Sequence, residues 1–314
     1  MSFISFVIPA QNEARFIQRD LRSIHAFLNG RQDYEIIVVD NASTDETSAL
    51  PAAEGAQVIS VPYKTTPAKV RNIGVAQAKG DVLVFLDGYV YLTDQWIDRF
   101  ESLLPEIRAN KLVTGSTLDV DPEVSWIAKA WFGPLFERQD VFVNGGHLMM
   151  SRSLFDQIGG FDETLETGED TEICLRAQRN GAMIRCDKQL HAVHMGYPND
   201  LGHFFRRERW HGKGNFQTWK QITSSKIPAL VLLHALSFFV ALLLPIVTCE
   251  WLWLLVYPVV ALMLSFAGAF KWLGGFAPNF LACMFLSWWY LTARAFSFFD
   301  VFWLKIRQKS TQTY

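Results

Sequence analysis

The sequence is short of charge. Aspartate, glutamate, lysine and arginine make up 19% of its 314 residues, against an ordinary share of about a quarter. Neither sign prevails, since 29 basic and 31 acidic side chains leave a formal charge of −2. With no basic tail either, the balance gives no support to nucleic-acid binding. Disorder is excluded, because half of the residues are hydrophobic. Cysteines are few, and Cys174, Cys186, Cys249 and Cys283 show no paired spacing. They make no zinc knuckle, redox pair or disulfide framework, and they suit a reducing compartment. Three chemical signatures are missing as well. The absence of Gly-x-Gly-x-x-Gly after the first strand argues against a nicotinamide or flavin enzyme, and that of Gly-x-x-x-x-Gly-Lys-Ser/Thr against a phosphate-loop NTPase. A Ser-His-Asp hydrolase would need a Gly-x-Ser-x-Gly elbow, which is also lacking.

What is present divides sharply near Lys226. From 227 to 304 the only charged residues are Glu250, Lys271, Arg294 and Asp300. Residues 227–248 and 251–270 are apolar runs, each long enough to cross a hydrocarbon core that needs about 20 helical residues. Only Cys249 and Glu250 separate them, which predicts a tight helical hairpin; a buried core pair is the alternative. Trp251, Trp253, Trp272, Trp288, Trp289 and Trp303 fall in this part, several where an interfacial aromatic belt would lie. Lys213, Lys220 and Lys226 precede the first run, Glu250 marks the tip, and Lys271 follows the second. Positive residues mark the cytoplasmic side, so the hairpin is expected to dip outward and return. The third segment, 280–304, carries Arg294 and Asp300 and is followed by Lys305, Arg307 and Lys309. It reads as an interfacial or half-inserted helix with a cytoplasmic tail.

The opening Met-Ser-Phe-Ile-Ser-Phe-Val-Ile-Pro has no basic lead or long apolar stretch and reads as a strand, not a signal peptide. Residues 1–225 are therefore expected to be a cytoplasmic domain, 200–225 its interfacial part, and 226–314 a multi-pass membrane region. Strand and helix signals alternate through the first domain. Strands are predicted at 3–8, 35–39, 57–61 and 82–86. Helices are predicted from an Asn12 cap to 28, after the capping box Ser43-Thr44-Asp45-Glu46, over 69–78 and from Asp94. Continuous apolar strands between helices indicate an α/β fold, a mainly parallel sheet covered on both faces. Ligands of such sheets lie beyond the carboxyl ends of the strands. Gln11, Asn12, Glu13, Asp40 and Asp87 sit there and predict one polar-ligand cleft.

Five motifs in order carry a resemblance: Val7-Ile8-Pro9-Ala10-Gln11-Asn12-Glu13, Val38-Val39-Asp40-Asn41-Ala42-Ser43-Thr44-Asp45, Val70-Arg71-Asn72-Ile73-Gly74, Phe85-Leu86-Asp87 and Gly168-Glu169-Asp170. Together they resemble the family 2 glycosyltransferases, inverting enzymes of the GT-A fold that use nucleotide-diphosphate sugars; the likeness covers about the first 215 residues. The resemblance implies that Pro9, Gln11 and Glu13 lie against the base and ribose, that Asp40 bonds the base, and that Arg71 faces the diphosphate. An inverting displacement needs one base and a stabilised leaving group, but no enzyme nucleophile. Asp170 is implied as the base that takes the acceptor proton, with Glu169 as runner-up or positioning residue; helix capping is the competing use of either.

The family's Asp-x-Asp would fall on Asp87-Gly88-Tyr89, and Tyr89 replaces the second carboxylate, a poor exchange for a hard cation such as Mg²⁺ or Mn²⁺. Three outcomes stay open: a divalent metal held by Asp87, His194 and the diphosphate, metal-free catalysis using Arg71 and other cations, or a weakened enzyme. On the acceptor side, Gly146 and His147 in Asn144-Gly145-Gly146-His147 resemble the family's acceptor segment. Arg206-Arg207-Glu208-Arg209-Trp210 resembles the Gln-x-x-Arg-Trp motif of processive synthases, with Arg206 in the glutamine position. The same stretch reads equally as a helix docking on anionic lipid. The expectation is a cell-membrane glycosyltransferase serving a lipid-linked or glycan acceptor, its oligomeric state left open. The alternative is a binding-only relative that acts as a membrane scaffold.

Overall fold

The computed structural model describes residues 3–28, 30–136, 143–216, 222–223 and 225–311. By packing, the chain forms two units: 1–124 with 135–197, and 125–134 with 198–314. The packing boundary after Tyr197 thus lies upstream of the composition boundary at 225.

In the first unit the strands β1 (Ile4–Ala10), β2 (Tyr34–Asn41), β3 (Gln57–Val61) and β4 (Val82–Leu86) alternate with helices α1 (Ile17–Phe27), α2 (Leu50–Ala53) and α3 (Pro67–Gln77). There follow β5 (Val90–Leu92), α4 (Trp96–Arg108), β6 (Leu112–Gly115) and β7 (Asp119–Val120). After α5 (Trp126–Trp131) and α6 (Gly133–Phe136), β8 (His147–Ser151), α7 (Arg152–Gln157), α8 (Glu169–Arg179), β9 (Met183–Cys186) and β10 (Ala192–His194) complete the fold. The main sheet runs β3-β2-β1-β4-β8-β6-β9, and a small one runs β5-β10-β7. β1, β2, β3 and β4 are parallel, whereas β8 is antiparallel to β4 with Leu86 opposite His147. The start of β8 therefore meets the carboxyl ends of β1, β2 and β4 at one edge.

Alternation along each strand builds the two faces. Ile4, Phe6 and Ile8 of β1 and Val82, Val84 and Leu86 of β4 join the core under α1 and α4. Val7, Leu83 and Phe85 face the opposite way, among residues of α3, α7 and α8. Pro9 lacks a donor, and it is tolerated because the β1–β4 pairing already ends at Val7.

Two sequence expectations need correction. Asn12 does not cap a helix. It adopts φ +57° in a loop, where its side-chain oxygen accepts from Thr44 N (2.8 Å), and α1 starts five residues later. Ser43–Glu46 opens only a 3₁₀ turn, Glu46–Ser48, capped by Asp45. In both places the loops after β1 and β2 bond to each other: Asn12 N donates to Ser43 Oγ (2.9 Å) and Glu13 N to Thr47 Oγ1 (2.7 Å). Side chains spent on this zipper are not available as helix caps.

The second unit consists of α5, α9 (Leu201–Gly212), α10 (Ile227–Thr248), α11 (Val256–Leu273) and α12 (Phe280–Thr311). Two helical stretches are long and apolar enough to cross a membrane, Ile227–Thr248 and Trp251–Leu273, with mean hydropathies of 2.6 and 2.0. Cys249, at φ +58°, and a 3₁₀ turn (Trp251–Leu255) reverse the chain between them. α12 does not qualify among the described residues, and its charges are matched instead. Glu208 of α9 is buried and accepts from Arg294 (2.9 Å) and Arg207 (2.7 Å). Arg209 holds both oxygens of Asp300, at 2.7 and 2.6 Å. α5 joins this unit because its last carbonyls accept from α11 and α12: Trp131 O from Trp272 (2.8 Å), Ala130 O from Cys283 (3.1 Å). Lys220 lies outside the described residues, as do the side chains of Lys305, Arg307 and Lys309.

Candidate active site

The edge where β1, β2 and β4 end gathers most of the predicted residues. After β1, Gln11 Nε2 donates to Asn41 O (3.0 Å), and Glu13 sits half-buried. Burial, with the charges of Asp87 and Asp45, pushes the Glu13 carboxyl up to about 8. Asp40, the penultimate residue of β2, is buried and accepts from Ser43 N (3.2 Å). Asp87 follows β4, and its N–H donates to Gly146 O (3.1 Å).

Arg71 is delivered by α3. That helix packs closely on the sheet because Gly74 faces it: a Cβ there would stand 2.5 Å from Val7 Cγ1 and 3.1 Å from Val39 Cγ2. Asn72, next in sequence, clamps α3 to the 159–163 loop, donating to Phe161 O (2.9 Å) and accepting from Phe161 N (3.0 Å). Phe161 in turn supports the Arg71 guanidinium, 5.6 Å from the ring centre. The resemblance implied that Arg71 faces the diphosphate; the structure buries its side chain between two carboxylates. Its Nη2 donates to Asp87 Oδ1 (2.8 Å) and its Nη1 to Glu169 Oε1 (2.7 Å). Burial alone would lower its pKa, but Asp87 and Glu169 outweigh that and hold the guanidinium charged. For Glu169 burial dominates and lifts the carboxyl above its ordinary value; Arg71 opposes the lift and Asp170 adds to it.

Glu169 and Asp170 form the first turn of α8, and neither caps it. The cap position is Gly168, whose φ of +84° suits glycine and leaves both carboxylates inside the helix. Asp170 is held differently from its neighbour. Its Oδ2 accepts from Gly145 N (3.1 Å) and its Oδ1 from Thr171 N (2.7 Å). A Cβ on Gly145 would lie 3.2 Å from Asp170 Cβ and 3.3 Å from Arg71 Nη2, and one on Gly146 2.6 Å from Asp87 Oδ2. The paired glycines thus let the backbone pass between the acidic side chains and Arg71.

His147 does not belong with them. Its side chain is fully buried, pointing into the core from the first position of β8. Trp96 Nε1 donates to its Nε2 (2.8 Å), which fixes the proton on Nδ1, where Ser116 Oγ accepts (2.8 Å). Burial, and secondarily His191, push it down to about 3, so it stays neutral. Alternation along the strand is the reason: Gly146 offers backbone to the site while the next side chain turns inward. Arg206, Arg209 and Trp210 belong to the second unit; Arg209 is committed to Asp300, and Phe204 beside them is buried, not free for lipid.

The divalent metal that the resemblance implies finds a poor fit. Tyr89 donates its phenol proton to Asp87 Oδ2 (3.0 Å), while Arg71 holds the other oxygen. His194 is stacked between Tyr89 (4.4 Å) and Tyr197 (3.8 Å, 6° between planes). Among the described residues no group of three or more His, Cys, Asp or Glu is placed to hold a metal.

Reading the sequence passed over Asn72 and Phe161 as working residues, and over Asp20. The Asn72 side chain was visible in the Arg-Asn-x-Gly motif; its partner 89 residues on was not. Asp20, on α1, is fully buried with neither oxygen hydrogen-bonded in the structure. Its carboxyl is driven well up, first by burial and then by Asp87.

Comparison with known proteins agrees with this architecture. The family model described as glycosyl transferase family 2 matches residues 5–159, and that of glycosyl transferase family group 2 matches residues 124–296, more than half of the chain. The chain belongs to the family 2 glycosyltransferases. It is 26% identical over 259 residues to the glycosyltransferase AglE of Haloferax volcanii, covering 76% of this chain and 82% of that one. It is 28% identical over 207 residues to the pre-mycofactocin glycosyltransferase of Mycobacterium tuberculosis, covering 58% of this chain but only 40% of that protein. In fold it is similar to the mannosyltransferase of Pyrobaculum calidifontis solved with GDP-Man and Mn²⁺, with a TM-score of 0.59, 17% identity and coverage of 94% and 86%. The protein is a glycosyltransferase with a GT-A-like sheet.

Proposed function

We propose that this enzyme is a membrane-bound inverting transferase that moves a hexosyl group from a nucleotide-diphosphate sugar to a lipid-linked or glycan acceptor, in envelope polysaccharide or glycolipid synthesis. The observation that carries the reading is the pair of adjacent carboxylates with unlike partners. Glu169 is paired with Arg71, whereas Asp170 is held by the N–H groups of Gly145 and Thr171 and by the Thr171 hydroxyl. A carboxylate offers about four lone-pair positions, so these three bonds orient Asp170 and leave it able to accept a proton. The acceptor hydroxyl attacks the anomeric carbon, its proton passes to Asp170, and the bond to the diphosphate oxygen breaks in the same displacement. Arg71 keeps Asp87 and Glu169 in register, and its fixed positive charge favours the departing diphosphate. Pro9, Gln11, Glu13 and Asp40, at the ends of β1 and β2, are assigned to the base and ribose. Gly146 is assigned to the acceptor side.

The membrane part of the reading rests on the two apolar stretches and the lysines that flank them. We take the hairpin to cross and return, with the catalytic domain cytoplasmic and α12 lying at the interface, its Arg294 and Asp300 shielded by α9.

The test is turnover. Full-length protein in detergent is offered a panel of radiolabelled UDP- and GDP-sugars with a total lipid extract. The expected result is release of nucleoside diphosphate with label entering the lipid fraction for one donor. Nucleotide binding without turnover of any donor would support the scaffold reading instead.

A further inference from the structure

The departure at Tyr89 is built into the fold, not a gap where a carboxylate has been lost. Its carbonyl accepts from Met195 N at 2.9 Å, which ties the start of β5 to the end of β10. Its ring packs on His194, and the backbone at Gly196 closes over it: a Cβ there would lie 3.1 Å from Tyr89 Cγ. Held in this way, the phenol reaches Asp87 Oδ2 at 3.0 Å while Arg71 Nη2 reaches Oδ1 at 2.8 Å. Asp87 is thus oriented from both sides by donors on two different elements.

We infer that Tyr89 is a positioning residue that replaces the second carboxylate of the site: it holds Asp87 by a hydrogen bond instead of through a shared cation, and a nucleoside diphosphate binds this chain without a divalent metal. This rests on the nucleotide-sugar reading above. Three features support it. A phenol is neutral near pH 7, so the exchange removes one negative charge that a cation would otherwise offset. Hard divalent ions choose carboxylate oxygens over a protonated phenol, and here that phenol is already donating. The fixed positive charge in the cluster is a guanidinium in contact with Asp87, which repels a dication brought to the same carboxylate.

The deciding experiment is a Mn²⁺ titration followed by electron paramagnetic resonance, with full-length protein in detergent, alone and with saturating UDP or GDP. Relative to a protein-free control at the same nucleotide concentration, the wild-type chain is expected to remove no further free Mn²⁺ signal up to about 100 µM (an order-of-magnitude ceiling for a useful site). Tyr89→Asp is expected to take up about one ion per chain. In parallel, the Kd of UDP and GDP should change less than about threefold between EDTA and Mn²⁺ for wild type, and tighten about tenfold or more with Mn²⁺ in Tyr89→Asp. Uptake of one Mn²⁺ by the wild type, with or without nucleotide, overturns the inference even if Tyr89→Asp fails to fold. Failure of both nucleotides to bind under every condition counts against the donor reading, while the Mn²⁺ titration still decides the metal.

Discussion

Charges are arranged in opposite ways in the two units. Around α8 in the first, Asp87, Glu169 and Asp170 share a single cation, Arg71, and Glu13 and Asp20 add acid nearby. Along α9 in the second, each acid has its own base or more: Glu208 lies between Arg207 and Arg294, and Asp300 is held at two points by Arg209. Even the remaining Nη of Arg294 is used, donating to Asn215 (2.6 Å). A matched set holds helices together where charge would otherwise be buried unpaired. The unmatched set leaves Asp170 held by backbone N–H groups and the Thr171 hydroxyl, and that is the group we propose for proton transfer.

Removing the central charge from each set should break the comparison most visibly. Arg71→Met strands Asp87 and Glu169 and is expected to destabilise the protein by about 3–5 kcal/mol, seen as a large fall in the detergent Tm. Glu208→Leu should cost a similar amount alone. Much of that loss should return in Glu208→Leu/Arg294→Met, because an apolar pair can replace a buried ion pair. If the double variant is no better than the single one, the seam along α9 is not the self-contained pairing described.

A smaller effect is expected where α3 brings Arg71 to the sheet. Gly74→Ala must push Val7 or the helix away, at about 1–3 kcal/mol, and should lower activity by shifting Arg71. Of similar size is the contribution of Glu13. Its pKa is raised in the folded state, so the folded protein holds this proton more tightly than the unfolded chain does. Stability from this group is present below about pH 4.5 and is lost as pH rises towards about 8. Glu13→Gln should therefore flatten the fall in Tm between pH 5 and 8, a change on the order of 1–3 kcal/mol; an unchanged slope would place the titration elsewhere. The least is expected of Arg209→Ala, since the pair with Asp300 is partly open to solvent, with side-chain exposures of 44% and 25%. A loss of under about 1 kcal/mol is predicted.

The sequence made the sheet legible because the rule that sets it is local. Strands β3 and β4 fall on the predicted residues, and β1 and β2 within two of them; the buried β1, β2 and β4 read as apolar runs. Gln11, Glu13, Asp40 and Asp87 could be placed at one edge for the same reason. What escaped was partner choice. Asn12 reads as a cap until the loop 30 residues on is seen to bond it, and His147 reads as a site residue until Trp96 and Ser116 are found around it. Arg294 and Asp300 made 280–304 ambiguous because their partners lie more than 80 residues earlier. Side-chain pairing at that separation leaves no trace in periodicity or spacing.

The sharpest test of the unmatched carboxylate is Asp170→Asn, measured for sugar transfer and for nucleotide affinity on the same preparation. Loss of the proton acceptor should lower kcat by about 10²–10⁴-fold, with the Kd for the nucleoside diphosphate unchanged within about threefold. A variant that transfers sugar at the wild-type rate would contradict the account.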